Sequence, residues 1–115
     1  MQLIKKDIEN ILGKITQTLT STSQNTLRKV MLYGSYARGD FTSNSDIDIM
    51  VLVDDANPYH LYHTIKPAVD FLSDKHLVII SCHFQNYKHF YQAINSTSFY
   101  KNIEKEGIVY YDSAV

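Results

Sequence analysis

The chain lacks several features that would place it in other classes of protein. It has a single cysteine, Cys82, among 115 residues, so no internal disulfide can form, which fits a reducing compartment and a cytoplasmic location. Its apolar runs fall short of the roughly 20 residues of a membrane span, and no signal-peptide pattern opens it. With 11 basic and 12 acidic residues the formal net charge is −1, so no broad surface for nucleic acid is expected.

The sequence also lacks an internal repeat, a low-complexity tract and a linker to a second domain. Its 44% hydrophobic and 20% charged residues are ordinary for a globular protein. A chain of this length can bury one core. We therefore expect a single domain over residues 1–115.

A glycine-containing turn follows the first apolar segment. Residues Val30 to Tyr33 predict a strand that breaks at Gly34-Ser35, and the residues before Gly39 have room for one helical turn. The N–H groups at such a helix start attract an anion, typically phosphate. Gly34 would let the backbone approach a ligand, Ser35 would add a hydroxyl, and Gly39 would close the turn with positive φ. An ordinary strand-to-helix turn is the alternative.

Two aspartates precede and enter the next apolar segment. The period of two through Ile47 and Val53 predicts one buried strand face, so Asp46 and Asp48 share the opposite face. Side chains two residues apart on a strand are separated by about 7 Å, so both carboxylates can reach one Mg²⁺ ion between them. A solvated strand face is the alternative, but Asp is a poor strand former and like charges on one face repel.

Together, Gly34-Ser35, ten intervening residues and Asp46-x-Asp48 resemble the signature of nucleotidyltransferases with a DNA polymerase β-like fold. The chain is most similar to the minimal nucleotidyltransferases (MNT), single-domain proteins often paired with a HEPN-domain toxin. The similarity extends from the N-terminal helix to the ending Asn102–Tyr111. It implies an α/β (α+β) fold, a small mixed β-sheet flanked by helices.

The resemblance also implies a reaction and its site residues. The reaction is Mg²⁺-dependent transfer of a nucleoside monophosphate, AMP from ATP, to a hydroxyl, with Asp46 and Asp48 as catalytic and metal-binding residues. In the toxin-paired members the acceptor is a tyrosine of the toxin, so a HEPN-domain toxin is the expected partner and this chain its antitoxin. The predicted nucleotide-binding residues are Gly34, Ser35, Arg38, Gly39 and Ser45.

The strand that usually carries a third carboxylate in this family holds no acid here. We assign that strand to residues 76–82. His76 falls near the expected place and is the candidate base if it is neutral, although imidazole is a poor ligand for Mg²⁺. A strand-edge histidine is the alternative.

The remaining segments predict the scaffold. A helix over residues 2–19 leads into a polar loop over 20–26. A second helix starts with Asn57 as N-cap and Pro58 at its first position, and Pro67 kinks or splits it near Lys66. Helices over 86–94 and 97–106 and a strand over 108–111 complete the chain. The second of these helices is expected to bury Phe99 and Ile103 on one face and to end at Gly107.

Two further functions are alternatives to protein adenylylation. The missing third acid favours a non-enzymatic module that neutralises a partner by covering it. Transfer to a small molecule is disfavoured because the chain has no room for an acceptor-binding domain. Five of the nine tyrosines fall in the last thirty residues, which is typical of a partner surface; homo-oligomers and hetero-oligomers are both compatible with the sequence.

Overall fold

The chain folds as a four-stranded mixed sheet with helices on both faces, as the α/β (α+β) prediction requires. The computed structural model describes residues 5–23 and 25–114. The elements in chain order are α1 (Lys5–Ser23), β1 (Leu27–Tyr33), α2 (Ser35–Arg38), β2 (Ile47–Val53), α3 (His60–His76), β3 (Ile80–Asn86), α4 (Tyr87–Ala93), α5 (Ser98–Glu106) and β4 (Ile108–Asp112).

The strand order in the sheet is β3-β2-β1-β4. The central strand β1 pairs antiparallel with both β2 and β4, whereas β2 and β3 are parallel. A parallel pair needs a crossover connection, and α3 supplies it. The register sets Asp48 opposite Tyr33 on one side and opposite Ser81 on the other.

Two buried clusters lie on opposite faces of the sheet. On the first face, α1 and α3 cover alternate strand residues such as Ile47 and Ile49. On the second face, Phe90 of α4 and Ile103 of α5 cover residues of opposite parity, among them Met50. Because side chains alternate along a strand, the second face is also the face of Asp48.

Helix α1 is longer than the sequence predicted. It continues through residues 20–23, which we had assigned to a loop. Hydroxyl groups there donate to carbonyls of the preceding turn, as Thr22 does to the carbonyl of Thr18 at 3.0 Å, so the helical backbone satisfies them. Leu19 is fully buried and anchors this last part. Residues 2–4 and 24 of the predicted segments lie outside the described residues.

Helix α3 also differs from its prediction. It begins at His60 with Tyr59 as N-cap, two residues later than predicted. A turn comes first, in which the N–H of Leu61 donates to the carbonyl of Pro58 at 3.1 Å. The helix runs without interruption past Pro67 to His76, so the predicted split near Lys66 is wrong. Only one hydrogen bond is lost at a proline, and the buried residues Ile65 and Leu72 hold both sides of it against the sheet.

The largest correction concerns β3, which spans Ile80–Asn86 rather than 76–82. Leu77 adopts a left-handed conformation (φ 53°) and ends α3, with its N–H bonded to the carbonyl of Ser73. Leu77 and Ile79 are exposed. Residues 76–79 of the predicted strand are therefore a helix end and a connection, and residues 80–82 are the start of β3.

The C-terminal elements follow the sequence closely. Asn86 and Thr97 cap α4 and α5 through their side chains, and Gly107 ends α5, as predicted. The strand predicted over 108–111 is β4. Among the described residues, no helix has the length and apolar character needed to cross a bilayer.

Candidate functional site

The predicted glycine turn forms at the end of β1. Gly34 has φ 76° and Gly39 has φ 89°, and the single helical turn α2 lies between them. The predicted positive φ at Gly39 is confirmed. The carbonyl of Gly34 accepts from the N–H of Ala37 (3.1 Å) and of Arg38 (3.0 Å). The N–H groups that start this turn have no helical partner, and the hydroxyl of Ser35 makes no hydrogen bond within the described part of the chain.

The turn lies directly against Asp48. A β-carbon on Gly34 would be 3.3 Å from Cγ of Asp48 and would overlap its Oδ2. Only glycine allows this approach, because a β-carbon would clash with the carboxylate and because φ at residue 34 is positive. The structure therefore brings the two motifs of the sequence into contact.

Asp46 and Asp48 are close enough for their charges to interact. Asp46 immediately precedes β2, and Asp48 is the second residue of that strand. Burial raises the pKa of Asp48, and the negative charge of Asp46 raises it further, while His83 and Arg38 act in the opposite direction. Two negatively charged carboxylates that repel each other at a half-buried site are suited to a divalent cation, which is bound by oxygen ligands. Asp46 and Asp48 are the residues that would hold it.

Ser81 and His83 occupy the place where the sequence analysis sought a third carboxylate. In the parallel register Asp48 lies opposite Ser81 and Met50 opposite His83, so both β3 side chains share the face of Asp48. The sequence did carry a signal for this, since Ile80, Cys82 and Phe84 alternate with these polar residues. No group of three or more metal-binding side chains of His, Cys, Asp or Glu is found in the described chain.

Tyr33 completes the wall on the β1 side. It pairs with Asp48 across the sheet and is buried. Burial raises the pKa of its phenol, and the negative charge of Asp48 adds to this. Its ring centroid lies 6.2 Å from that of His83. Sequence reasoning missed Tyr33, because as the last residue of an apolar run it was read only as part of a strand.

Arg38 and Ser45, two other predicted nucleotide-binding residues, are engaged within the protein. The guanidinium of Arg38 forms ion pairs with Asp40 and Glu106, each at 3.2 Å. It is partly exposed, and its charge favours the ionised form of Asp48. The hydroxyl of Ser45 accepts from the N–H of Thr42 at 2.8 Å and so closes the loop before Asp46.

His76 is not on the strand next to β2, so its predicted strand position is wrong. It is the last residue of α3 and is buried, with Nδ1 3.8 Å from Oδ1 of Asp7 in α1. The helices α1 and α3 cover the first face of the sheet, whereas Asp48 is on the second. The apolar residues after His76 misled the prediction because they resemble a strand.

The other acids and histidines near β2 have structural partners. Asp54 pairs with Arg28 at 2.9 Å, and Asp55 contacts Nε2 of His60 at 2.6 Å. Asp55 also accepts from the N–H of Asn57 at 2.9 Å, so it caps the turn. These residues follow the opposite end of β2 from Asp48.

A mixed sheet that sets a Gly-Ser turn against a pair of aspartates is the arrangement of a nucleotidyltransferase domain. The model of the family described as "Nucleotidyltransferase domain" matches residues 12–110. The chain belongs to this family.

Similarity to named proteins narrows the class. The chain is 34% identical over 103 residues to the Methanocaldococcus jannaschii protein named "Putative protein adenylyltransferase MJ0604", covering 90% of this chain and 97% of that protein. Similar solved structures include a toxin–antitoxin with AMP-PNP, with TM-score 0.58, 22% identity, and coverage of 91% of this chain and 73% of that one. A mutant of the toxin–antitoxin MntA–HpeT has TM-score 0.57, 21% identity, and coverage of 97% and 75%. At these identities the structural likeness concerns the fold.

Proposed function

We propose that this chain transfers AMP from ATP to a tyrosine hydroxyl of a HEPN-domain toxin in the cytoplasm and thereby acts as its antitoxin. The observation that carries the proposal is the contact between the Gly34 turn and the carboxylate of Asp48. A triphosphate bound at the turn would have its phosphates beside the metal-binding acids. The similarity to a protein named as an adenylyltransferase supports AMP transfer, and the fold shared with toxin–antitoxin structures supports a toxin as acceptor.

Each residue of the site has a role in this proposal. Backbone N–H groups at the start of α2 and the hydroxyl of Ser35 bind phosphate oxygens. Arg38 exchanges its two surface carboxylates for the triphosphate, and Gly39 keeps the turn tight. Asp46 and Asp48 would hold Mg²⁺, which when bound supplies positive charge to the triphosphate and to the departing pyrophosphate.

The transfer itself is a displacement at the α-phosphorus. The acceptor oxygen forms a bond to that phosphorus, and the bond from the phosphorus to the bridging oxygen of the β-phosphate breaks. Pyrophosphate leaves with the electron pair of the broken bond, and the hydroxyl proton passes to solvent. The protein contributes chiefly by position and charge, as is general in phosphoryl transfer.

The experiment is incubation of the purified chain with α-labelled ATP, Mg²⁺ and a purified HEPN-domain toxin. We expect label on the toxin, none after EDTA, and loss of labelling by at least a hundredfold in Asp46→Asn. Asp70→Asn, on an exposed part of α3, is the matched control and should label normally. Absence of label with the wild-type chain, or equal label with Asp46→Asn, would exclude the enzymatic proposal.

A non-enzymatic antitoxin is the second candidate, and the composition of β3 favours it. Ser81 and His83 stand on the face of Asp48 where a carboxylate would complete the metal site. In this alternative the chain neutralises the toxin by covering it. Asp48→Ala would then protect cells from the toxin as well as the wild type does, whereas the enzymatic proposal predicts loss of protection.

A further inference from the structure

The exposed aromatic side chains Tyr59, His83 and Phe99 gather around β3. The ring centroid of Phe99 lies 6.0 Å from that of Tyr100, and 5.8 Å from that of Tyr33 in an edge-to-face arrangement. Tyr59, His83, Phe99 and Tyr100 border a cavity of about 210 Å³ on β3. We call these four residues the aromatic cleft.

Core packing accounts for Tyr100 but not for the exposed members of the cleft. We expected Phe99 to be on the buried face of α5 with Ile103, but α5 buries Tyr100 and Ile103 and leaves Phe99 51% exposed. Tyr59 is 65% exposed. Single exposed apolar residues are common, whereas adjoining ones that border a cavity indicate a binding surface.

The order of the elements across the sheet places the cleft relative to the reaction. The Gly34 turn follows β1, Asp48 is on β2, and His83 is on β3. In an in-line displacement the attacking oxygen and the leaving group are on opposite sides of the phosphorus. With the pyrophosphate at the Gly34 turn, the acceptor therefore arrives from the side of β3, where the cleft lies.

Resting on the proposed function, we propose that the aromatic cleft binds the ring of the acceptor, a phenol side chain of a protein, and so determines specificity for tyrosine. Phe99 and Tyr59 form the walls, and His83 lies at the end nearest Asp48. Aromatic rings prefer edge-to-face and offset contacts of the kind that Phe99 already makes with Tyr33. Phe99 is thus a positioning residue for the acceptor.

The size and charge of the cleft favour this occupant. Pockets for drug-sized ligands span about 300–1,000 Å³, so a cavity of about 210 Å³ suits a side chain better than a nucleoside. The described residues that line it include no carboxylate, lysine or arginine. A polycationic small-molecule acceptor would find no charge partner there.

The first test measures binding and needs no turnover. N-acetyl-L-tyrosinamide, or N-acetyl-L-serinamide for comparison, is titrated by NMR into the chain with Mg²⁺ and α,β-methylene-ATP. We expect saturable shifts at His83 and Phe99 with the tyrosine compound only. Phe99→Ala should weaken its binding about tenfold and Phe99→Leu by less. Phe71 on α3 is also exposed (66%), and Phe71→Ala should bind normally.

The second test measures transfer to the toxin. We expect Phe99→Ala to raise the acceptor KM about tenfold with the KM for ATP unchanged, and Phe71→Ala to alter neither.

The proposal is overturned if tyrosinamide causes no shifts in the cleft, or if Phe99→Ala weakens binding of the ATP analogue instead, since the cleft would then hold the base. If the wild type transfers AMP to the toxin and Phe99→Ala leaves the acceptor KM unchanged, the role of the cleft is excluded and the enzymatic function is retained. Tyrosinamide binding in the cleft without any transfer would uphold the cleft and defeat the enzymatic function.

Discussion

Gly34 and Asp48 are so close that no side chain fits between them. A β-carbon on Gly34 would overlap Oδ2 of Asp48 and lie 3.4 Å from its Cβ. The two residues belong to different motifs: Gly34 directly follows β1, and Asp48 is in β2, which pairs antiparallel with β1. The Gly34 turn and the carboxylate of Asp48 therefore adjoin, as the proposed phosphate and metal site requires.

Gly34→Ala tests this relationship. The substitution puts a side chain at φ 76° and forces the Asp48 carboxylate aside. Strain at such a position costs about 1–3 kcal/mol, and the displaced carboxylate adds to it. We expect a loss of about 2–4 kcal/mol in the free energy of unfolding, measured by urea denaturation, together with loss of Mg²⁺–nucleotide binding.

Gly39→Ala is the matched control for stability. Gly39 has a similar φ of 89°, but a β-carbon there would meet nothing within 4 Å. Gly39→Ala should therefore lower the free energy of unfolding only by the backbone strain, about 1 kcal/mol. Equal losses of stability in the two variants would show that the Asp48 contact adds nothing to the glycine requirement at residue 34.

Local patterns predicted most of the fold. The alternation in β2, the glycines around α2 and the stop at Gly107 are short-range signals with direct steric causes, and the structure has all three. The extent of α1 was underestimated because Ser and Thr favour turns in isolation. In the folded chain their hydroxyls donate hydrogen bonds to helix carbonyls, and the burial of Leu19 stabilises this end of α1.

The candidate site was only half predictable. Asp46, Asp48 and the glycine turn are adjacent in sequence to their own strands, so their side of the sheet followed from parity. The β3 residues depend on where α3 ends, and that is decided by the left-handed Leu77 and the burial of His76. The alternation of Ile80, Cys82 and Phe84 marks β3, but the apolar residues 77–79 before it hide where the helix ends. The sequence therefore pointed to His76 as the candidate base, whereas the histidine on the face of Asp48 in the fold is His83.

Asp48→Asn should stabilise the protein without ligand at neutral pH. Burial and Asp46 raise the pKa of Asp48 in the folded state, so between its ordinary and raised pKa values the folded chain binds more protons than the unfolded chain. The free energy of unfolding then falls as pH rises through that window. Asp48→Asn removes this slope and should have a higher Tm at pH 7.

The measurement is Tm against pH from 3 upward for the wild type, Asp48→Asn and Asp70→Asn. Asp70 forms an exposed ion pair with Lys66, so its substitution should change stability by less than about 0.5 kcal/mol. A clear drop in Tm with Asp48→Asn at pH 7 would mean that the carboxylate is structural.

Magnesium and nucleotide together should stabilise the folded chain. At about 100 times Kd a ligand that binds only the folded state adds about 2.7 kcal/mol, or roughly 10 °C in Tm for a domain of this size. We expect this shift with Mg²⁺ and α,β-methylene-ATP, and its loss with EDTA or in Asp46→Asn. Ser35→Ala should weaken the nucleotide effect and leave Mg²⁺ binding largely intact. A full shift in Asp46→Asn would remove that residue from the site.

Substitutions of His76 and of the aspartates should differ in their effects on stability and on AMP transfer. His76 is 8% exposed between α1 and α3, and its Nε2 has no hydrogen-bond partner in the described chain. His76→Ala should therefore lose about 1–3 kcal/mol of stability through lost packing and keep the AMP transfer rate per folded molecule. Lys75→Ala, one residue earlier and exposed, should change neither by much. A tenfold fall in transfer by folded His76→Ala would return this histidine to the site, because packing on the opposite face of the sheet offers no route to such a loss.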